Sequence, residues 1–106
     1  MTASSEVSPR EAAVLVALDG KELYGLEIPK AVEESSGGTI KMRIGTLYPV
    51  LRNLENKGLI KSRWGEEVYP ERGGARRRYY SLTGNGSAKL RSLQSTDGDS
   101  FDWQPA

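Results

Sequence analysis

The stretch Ile44-Gly45-Thr46-Leu47-Tyr48-Pro49-Val50-Leu51-Arg52-Asn53-Leu54-Glu55-Asn56-Lys57-Gly58, together with the extended segment that starts at Leu59-Ile60, decides how this chain folds. Ile44, Leu47, Tyr48, Leu51 and Leu54 recur at i, i+3, i+4, i+7 and i+10, so an α-helix puts all five on one face. Thr46, Arg52 and Asn53 stand off that face, available to a partner. Lys57-Gly58 stops the helix. Pro49 bears on its start: with Thr46 as N-cap the proline lies in the first turn and costs no hydrogen bond, whereas a start near Arg43 brings a local irregularity. The pattern favours the earlier start.

Upstream, Ser8-Pro9-Arg10-Glu11 is a helix beginning: a capping serine, proline at the first helical position and a carboxylate where a capping box needs one. The helix should run to about Leu18. It is apolar nearly all round, so it is covered on more than one side, either by this small domain alone or by the domain and a second subunit. Asp19-Gly20 ends it. A second helix is expected from about Tyr24 to Glu34, with Ile28 and Val32 facing inward. Pro29 is tolerable only near its start or at a kink, and Gly25 suggests close approach to a neighbouring backbone. Ser35-Ser36-Gly37-Gly38 is a connector.

Downstream, Leu59–Trp64 and Arg77–Leu82 are rich in β-forming residues. Between them Gly65–Arg76, with Pro70, Gly73 and Gly74, is too long for a tight turn, and Gly65–Ala75 is expected to be mobile. Thr83 caps a last helix of about ten residues holding Ala88, Leu90 and Leu93, in which Gly84 and Gly86 each cost about 1 kcal/mol relative to alanine. The expected fold is α+β, mainly α: a winged helix-turn-helix of three helices, a two-stranded β wing and a short C-terminal helix. Residues 1–7 would form a flexible N-terminus, 8–94 the domain and 95–106 a flexible tail, where Phe101 and Trp103 are either idle or docked.

The totals agree with one domain of 106 residues and a modest core. Net charge is only +1, but its distribution is uneven. Residues 1–38 carry three basic against seven acidic side chains, a net of −4; residues 39–82 carry ten against four, a net of +6; residues 83–106 carry two against three, a net of −1. Positive charge is concentrated in the helix-plus-hairpin stretch, as a polyanion partner requires. Cysteine and histidine are absent, so there is no disulfide framework, no thiolate metal site and no usual general base. The expectation is a non-enzyme without cofactor or metal. No apolar run approaches a membrane span and Met-Thr-Ala-Ser-Ser-Glu does not read as a signal peptide, so a cytoplasmic protein with no membrane partner is expected.

Four strings, Leu23-Tyr24-Gly25, Gly45-Thr46-Leu47-Tyr48-Pro49, Leu54-Glu55-x-Lys57-Gly58-Leu59-Ile60 and Arg77-Arg78-Tyr79-Tyr80-x-Leu82-Thr83, resemble in order and spacing the PadR family of bacterial transcriptional regulators, along roughly residues 8–93. Trp64-Gly65 and Arg72-Gly73-Gly74-Ala75-Arg76 are similar to a cyanobacterial, period-extender-like subgroup of that family. The resemblance implies a winged-helix repressor that binds double-stranded DNA at a palindromic operator as a homodimer. PadR proteins dimerise through a long C-terminal helix helped by the first helix. Here the last helix is expected to be short, so a dimer through helix 8–18 and helix 83–94 would be weaker or more dependent on the first. Family members respond to small phenolic or cationic aromatic ligands, but no effector pocket is legible in this chain.

Under that reading the recognition helix is about 44–57, set in the major groove, and the wing is 60–82, on the minor groove or phosphates. Gly45 lets a phosphate approach backbone and Thr46 reaches phosphate or a base edge; the plainer account of both is a helix N-terminus. Tyr48 is either a core tyrosine or an amphipathic one whose hydroxyl meets phosphate. Lys41 and Arg43 flank the helix start, where anions are already favoured. Arg52 and Asn53 have the chemistry to read guanine and adenine, although surface helix positions carry such residues for no reason of recognition. The wing contributes Arg72, Arg76, Arg77 and Arg78, with strand alternation sending Arg76 and Arg78 to one side and Arg77 to the other. Lys61 and Arg63 on the facing strand extend the patch. Trp64 packs in the wing base or lines a ligand pocket. The alternative to DNA is a winged helix used as a protein-interaction module.

Overall fold

The computed structural model describes residues 6–67 and 76–100, with backbone alone for 95–100. Among the described residues the order is α1 (Pro9–Ala17), β1 (Leu23–Tyr24), a 3-10 turn (Gly25–Glu27), α2 (Ile28–Ser35), α3 (Ile44–Asn56), β2 (Ile60–Trp64), β3 (Arg78–Leu82) and α4 (Gly84–Ser100). Arg72, Pro70, Gly73, Gly74, Phe101 and Trp103 lie outside the described residues, as does most of the loop expected to be mobile.

The start of α1 is the capping box read from the sequence. The Glu11 amide donates to Ser8 Oγ at 3.1 Å and the Ser8 amide donates back to Glu11 Oε1 at 2.9 Å, an arrangement worth about 1 kcal/mol. Ala13, Val14, Leu15 and Ala17 are buried, and Val16 is exposed. The end of α3 is equally local. Gly58, at φ 77°, closes a Schellman motif in which the Leu59 amide donates to the Leu54 carbonyl and the Gly58 amide to that of Glu55. Thr83 Oγ1 accepts from the Gly86 amide and donates to the Gly58 carbonyl, so it caps α4 and ties that helix to the turn after α3.

Three expectations need correction. The second helix does not begin at Tyr24: Leu23-Tyr24 is a strand, and α2 starts at Ile28, which leaves Pro29 in the first turn where its missing N–H costs nothing. The sheet therefore has three antiparallel strands in the order β1-β3-β2, not two. And α4 continues through residues 95–100, beyond the helix of about ten residues. No proline interrupts that run, and each added residue contributes one more helical hydrogen bond.

Helix α3 begins at Ile44 with Arg43 as N-cap, and Pro49 sits inside it. The earlier start is the observed one. Since proline has no amide hydrogen, the Gly45 carbonyl on the exposed side lacks its usual helical donor. Leu47, Val50, Leu51 and Leu54 are buried against Val14, Leu15, Leu18, Ile28, Val32, Ile60 and Leu90, each large side chain contributing about 1.5–3 kcal/mol. Ile44 and Tyr48, placed on the apolar face by their spacing, are 40% and 39% exposed. The inward stripe is centred on Leu47, Leu51 and Leu54 and takes in Val50 on one edge, which leaves Ile44 and Tyr48 at the opposite, solvent-facing edge.

One buried charge crosses the core. Glu11, 5% exposed, receives Lys57 Nζ at 2.8 Å, and the same ammonium donates to the Glu6 carbonyl. The first residues of α1 and the C-cap of α3 are thereby joined.

Candidate nucleic-acid interface

Strand alternation divides the hairpin into two faces. The pairs Ile60–Leu82, Ser62–Tyr80 and Trp64–Arg78 share the face toward α3, while Lys61–Ser81 and Arg63–Tyr79 share the outer one. On the α3 side an open cleft of about 370 Å³ has Tyr48, Arg52 and Glu55 on its helical wall and Trp64, Arg76 and Arg78 on its hairpin wall. A buried Tyr80 closes its floor, and burial pushes that phenol above its ordinary 10.0, so it remains a neutral hydrogen-bonding group.

Within this cleft the Ser62 hydroxyl donates to Glu55 Oε2 at 2.6 Å, and Arg78 Nε donates to Ser62 Oγ at 3.0 Å. The Arg78 guanidinium also lies 3.7 Å from Glu55 Oε2. Its carbon is 5.2 Å from the Trp64 ring centre, a cation–π distance. Trp64 is 57% exposed, so it roofs the wing beside Arg78 and is not packed into the wing base. Arg52 and Arg76 stay exposed at the two rims.

The outer face is a ladder of cations and rings. Arg77 stands 4.2 Å over Tyr24, Tyr24 meets Tyr79 edge to face at 6.0 Å, and Arg63 stands 4.9 Å over Tyr79. Arg63 is then held by Glu22 in a two-pronged ion pair, both contacts at 2.7 Å. That hydrogen bond from Arg63 holds the Glu22 carboxyl below its ordinary 4.5, with the charges of Arg63 and Lys61 adding to it. Arg76 and Arg77 precede β3, so strand alternation does not divide them as expected: both line the cleft, although Arg77 also reaches over Tyr24. Arg63, counted from sequence as part of the cationic patch, is engaged by Glu22 on the side away from the cleft.

The remaining candidates divide in the same way. Gly45 is exposed at the head of α3 with open space where a Cβ would stand, so no packing demand explains the glycine. Thr46 is half-buried in the first turn, and Arg43 is exposed just before it. Lys41 shares a shallow hollow with Ser8, Pro9 and Arg10 at the start of α1. Asn53 opens toward α4, in a hollow shared with Asn56, Asn85 and Lys89, and does not line the cleft that holds Arg52. Adjacent on the helix, the two point to different neighbours. Lys61 is exposed on the outer face. Glu55, Ser62, Tyr24 and Tyr79 have roles that sequence reasoning missed; only the cross-strand partnership of Trp64 and Arg78 follows from hairpin register.

Comparison with known proteins gives consistent results. A family model described as the transcriptional regulator PadR-like family matches residues 14–92. An uncharacterized protein of Lysinibacillus sphaericus is 32% identical over 73 residues, covering 69% of this chain; the chain spans 63% of that relative's length. The solved structure of a PadR-like transcription factor from Bacteroides fragilis is similar at TM-score 0.73 and 28% identity, over 88% of this chain and 84% of that one. A PadR family transcription regulator from Clostridium difficile gives 0.67 and 29%, over 87% and 88%. Bacillus subtilis PadR in complex with operator DNA gives 0.71 and 24%, over 84% and 48%, a likeness of fold.

Proposed function

The chain belongs to the PadR-like family of transcriptional regulators, and from that premise we propose that it binds double-stranded DNA sequence-specifically and represses transcription. The observation that carries this reading is the cleft itself: the outer side of α3 and the arginine-bearing strand meet there, with Arg52 on one rim and Arg76 on the other. Helix α3 lies in the major groove and the wing along the adjacent minor groove or its phosphates. Lys41, Arg43, Lys61, Arg76 and Arg77 supply phosphate contacts, helped by the bare backbone at Gly45. Arg52, with Thr46, faces base edges, and the exposed Tyr48 beside them stands toward phosphate. Asn53, turned toward α4, contributes less.

The active form is a homodimer on a palindromic operator, with the two α3 helices about 34 Å apart. Support comes from α1, which packs along α4 and still exposes Val16.

The test is a gel-shift titration against the protein's own upstream DNA at two salt concentrations. Arg76→Ala should lower the salt slope by about 1 with little change in sequence preference. Arg52→Ala should instead cost about 1–3 kcal/mol on the preferred sequence and relax discrimination. Absence of binding at low salt overturns the reading and moves the function to protein contacts.

A further inference from the structure

We propose that Glu55 is a positioning residue for DNA discrimination, a carboxylate on α3 that latches the wing through Ser62 and Arg78 and withholds Arg78 from indiscriminate phosphate contact. The inference rests on the DNA reading above and adds a regulatory residue to the same cleft.

An acidic side chain is out of place in a surface built for a polyanion. Around Glu55 stand Arg52, one helical turn back, and Arg76, Arg77 and Arg78 of the hairpin. Solvent alone gives no reason for a carboxylate there, but its contacts do. One oxygen, Glu55 Oε2, accepts the Ser62 hydroxyl at 2.6 Å and faces the Arg78 guanidinium at 3.7 Å, while Arg78 Nε donates to Ser62 Oγ at 3.0 Å. These three groups close a ring between the recognition helix and both wing strands. The ring sets the separation of the two elements that read DNA, and it orients Arg78 over Trp64.

Two consequences follow from charge. With its guanidinium on Glu55 and Ser62, Arg78 is committed within the protein, so a phosphate at an arbitrary register gains one cationic contact fewer. Glu55 also repels a phosphate that enters the cleft out of register. Both effects lower non-specific affinity more than specific affinity, because a matched site repays them with base contacts.

The experiment measures salt-dependent binding of the full chain to a random-sequence duplex, for wild type, Glu55→Gln, Arg78→Ala and the double variant. Glu55→Gln should bind non-specific DNA several-fold more tightly, with a salt slope steeper by about 1. Arg78→Ala alone should leave the slope near wild type, and in the Glu55→Gln background it should abolish the increase. Ser62→Ala, which leaves α3 untouched, should move the slope in the same direction as Glu55→Gln. An unchanged slope in Glu55→Gln overturns the proposal, and so does an increase that persists without Arg78, since that reports only the lost negative charge. A fold defect would weaken both variants without steepening the slope. The latch also has a readout without DNA. In a Trp103→Phe background, Glu55→Gln should make Trp64 emission more accessible to acrylamide as Arg78 leaves the ring; no change there refutes the latch. Failure of wild type to bind any duplex, with the Trp64 response intact, would instead refute the DNA reading.

Discussion

The Tyr48 hydroxyl lies over Gly25 so closely that a Cβ on that glycine would come within 2.6 Å of it. The contact joins the 3-10 turn ahead of α2 to the outer side of α3. The neighbour expected for Gly25 was a backbone; it is the hydroxyl tip of Tyr48. Gly25→Ala should cost about 1 kcal/mol, the low end for overpacking, because a half-exposed tyrosine can swing aside. In a Tyr48→Phe background the nearest remaining ring atom stands 3.4 Å from the new Cβ, so the cost should largely vanish. Urea unfolding of the four proteins measures this coupling, and additive effects would contradict it.

The Glu11–Lys57 pair should dominate the polar stability of the domain. Glu11 is buried, bonds the Ser8 amide and receives Lys57 at 2.8 Å. Lys57→Ala leaves that carboxylate buried without its counter-charge, at a cost of about 3 kcal/mol. Glu11→Gln keeps the shape and the capping hydrogen bonds available and should cost less. Equal effects in chemical denaturation would show that the charge pairing is not the source.

Two glycines of α4 should respond to alanine with opposite signs. Gly84 faces open space, and alanine there should stabilise by up to about 1 kcal/mol. At Gly86 a Cβ would run into the Leu59 carbonyl, its carbon lying 2.9 Å away. Backbone cannot swing aside, so Gly86→Ala should lower stability by roughly 1–3 kcal/mol. Thermal melts of both variants decide it.

Acid should loosen the outer face of the wing first. Arg63 holds the folded-state pKa of Glu22 below its ordinary 4.5. A depressed carboxylate contributes stability that is complete above the unfolded value and is lost as pH falls through the folded one. Glu22→Gln should therefore flatten the stability profile below about pH 4.5 and leave it unchanged near neutrality, apart from a constant offset. An unaltered acid limb would count against the pair. Because the Glu22–Arg63 pair lies at the solvent-exposed surface, the effect should fade in high salt.

Much of this fold was legible because its signals are local. Ser8, Pro9 and Glu11 begin α1 through bonds spanning three residues, and Lys57-Gly58-Leu59 ends α3 through bonds spanning five or fewer. The cationic stretch was legible from charge counting, since charge adds along a sequence whatever its geometry. What composition and spacing left undecided is what each cation touches.

The amino-acid sequence by itself determined where helix α1 starts, where α3 stops, the hairpin, and the segment that bears the positive charge, because capping, turn chemistry and side-chain period act between near neighbours. Only the tertiary structure decided that Leu23-Tyr24 pairs with Tyr79-Tyr80, that Arg63 belongs to Glu22 and Arg78 to Glu55, and that Gly86 must be a glycine. Each of these depends on groups far apart in the chain that meet only after the core of α1, α2 and α3 has closed. The energies involved are small at each contact, and it is the geometry imposed by that core, not the preference of any one residue, that selects the partners.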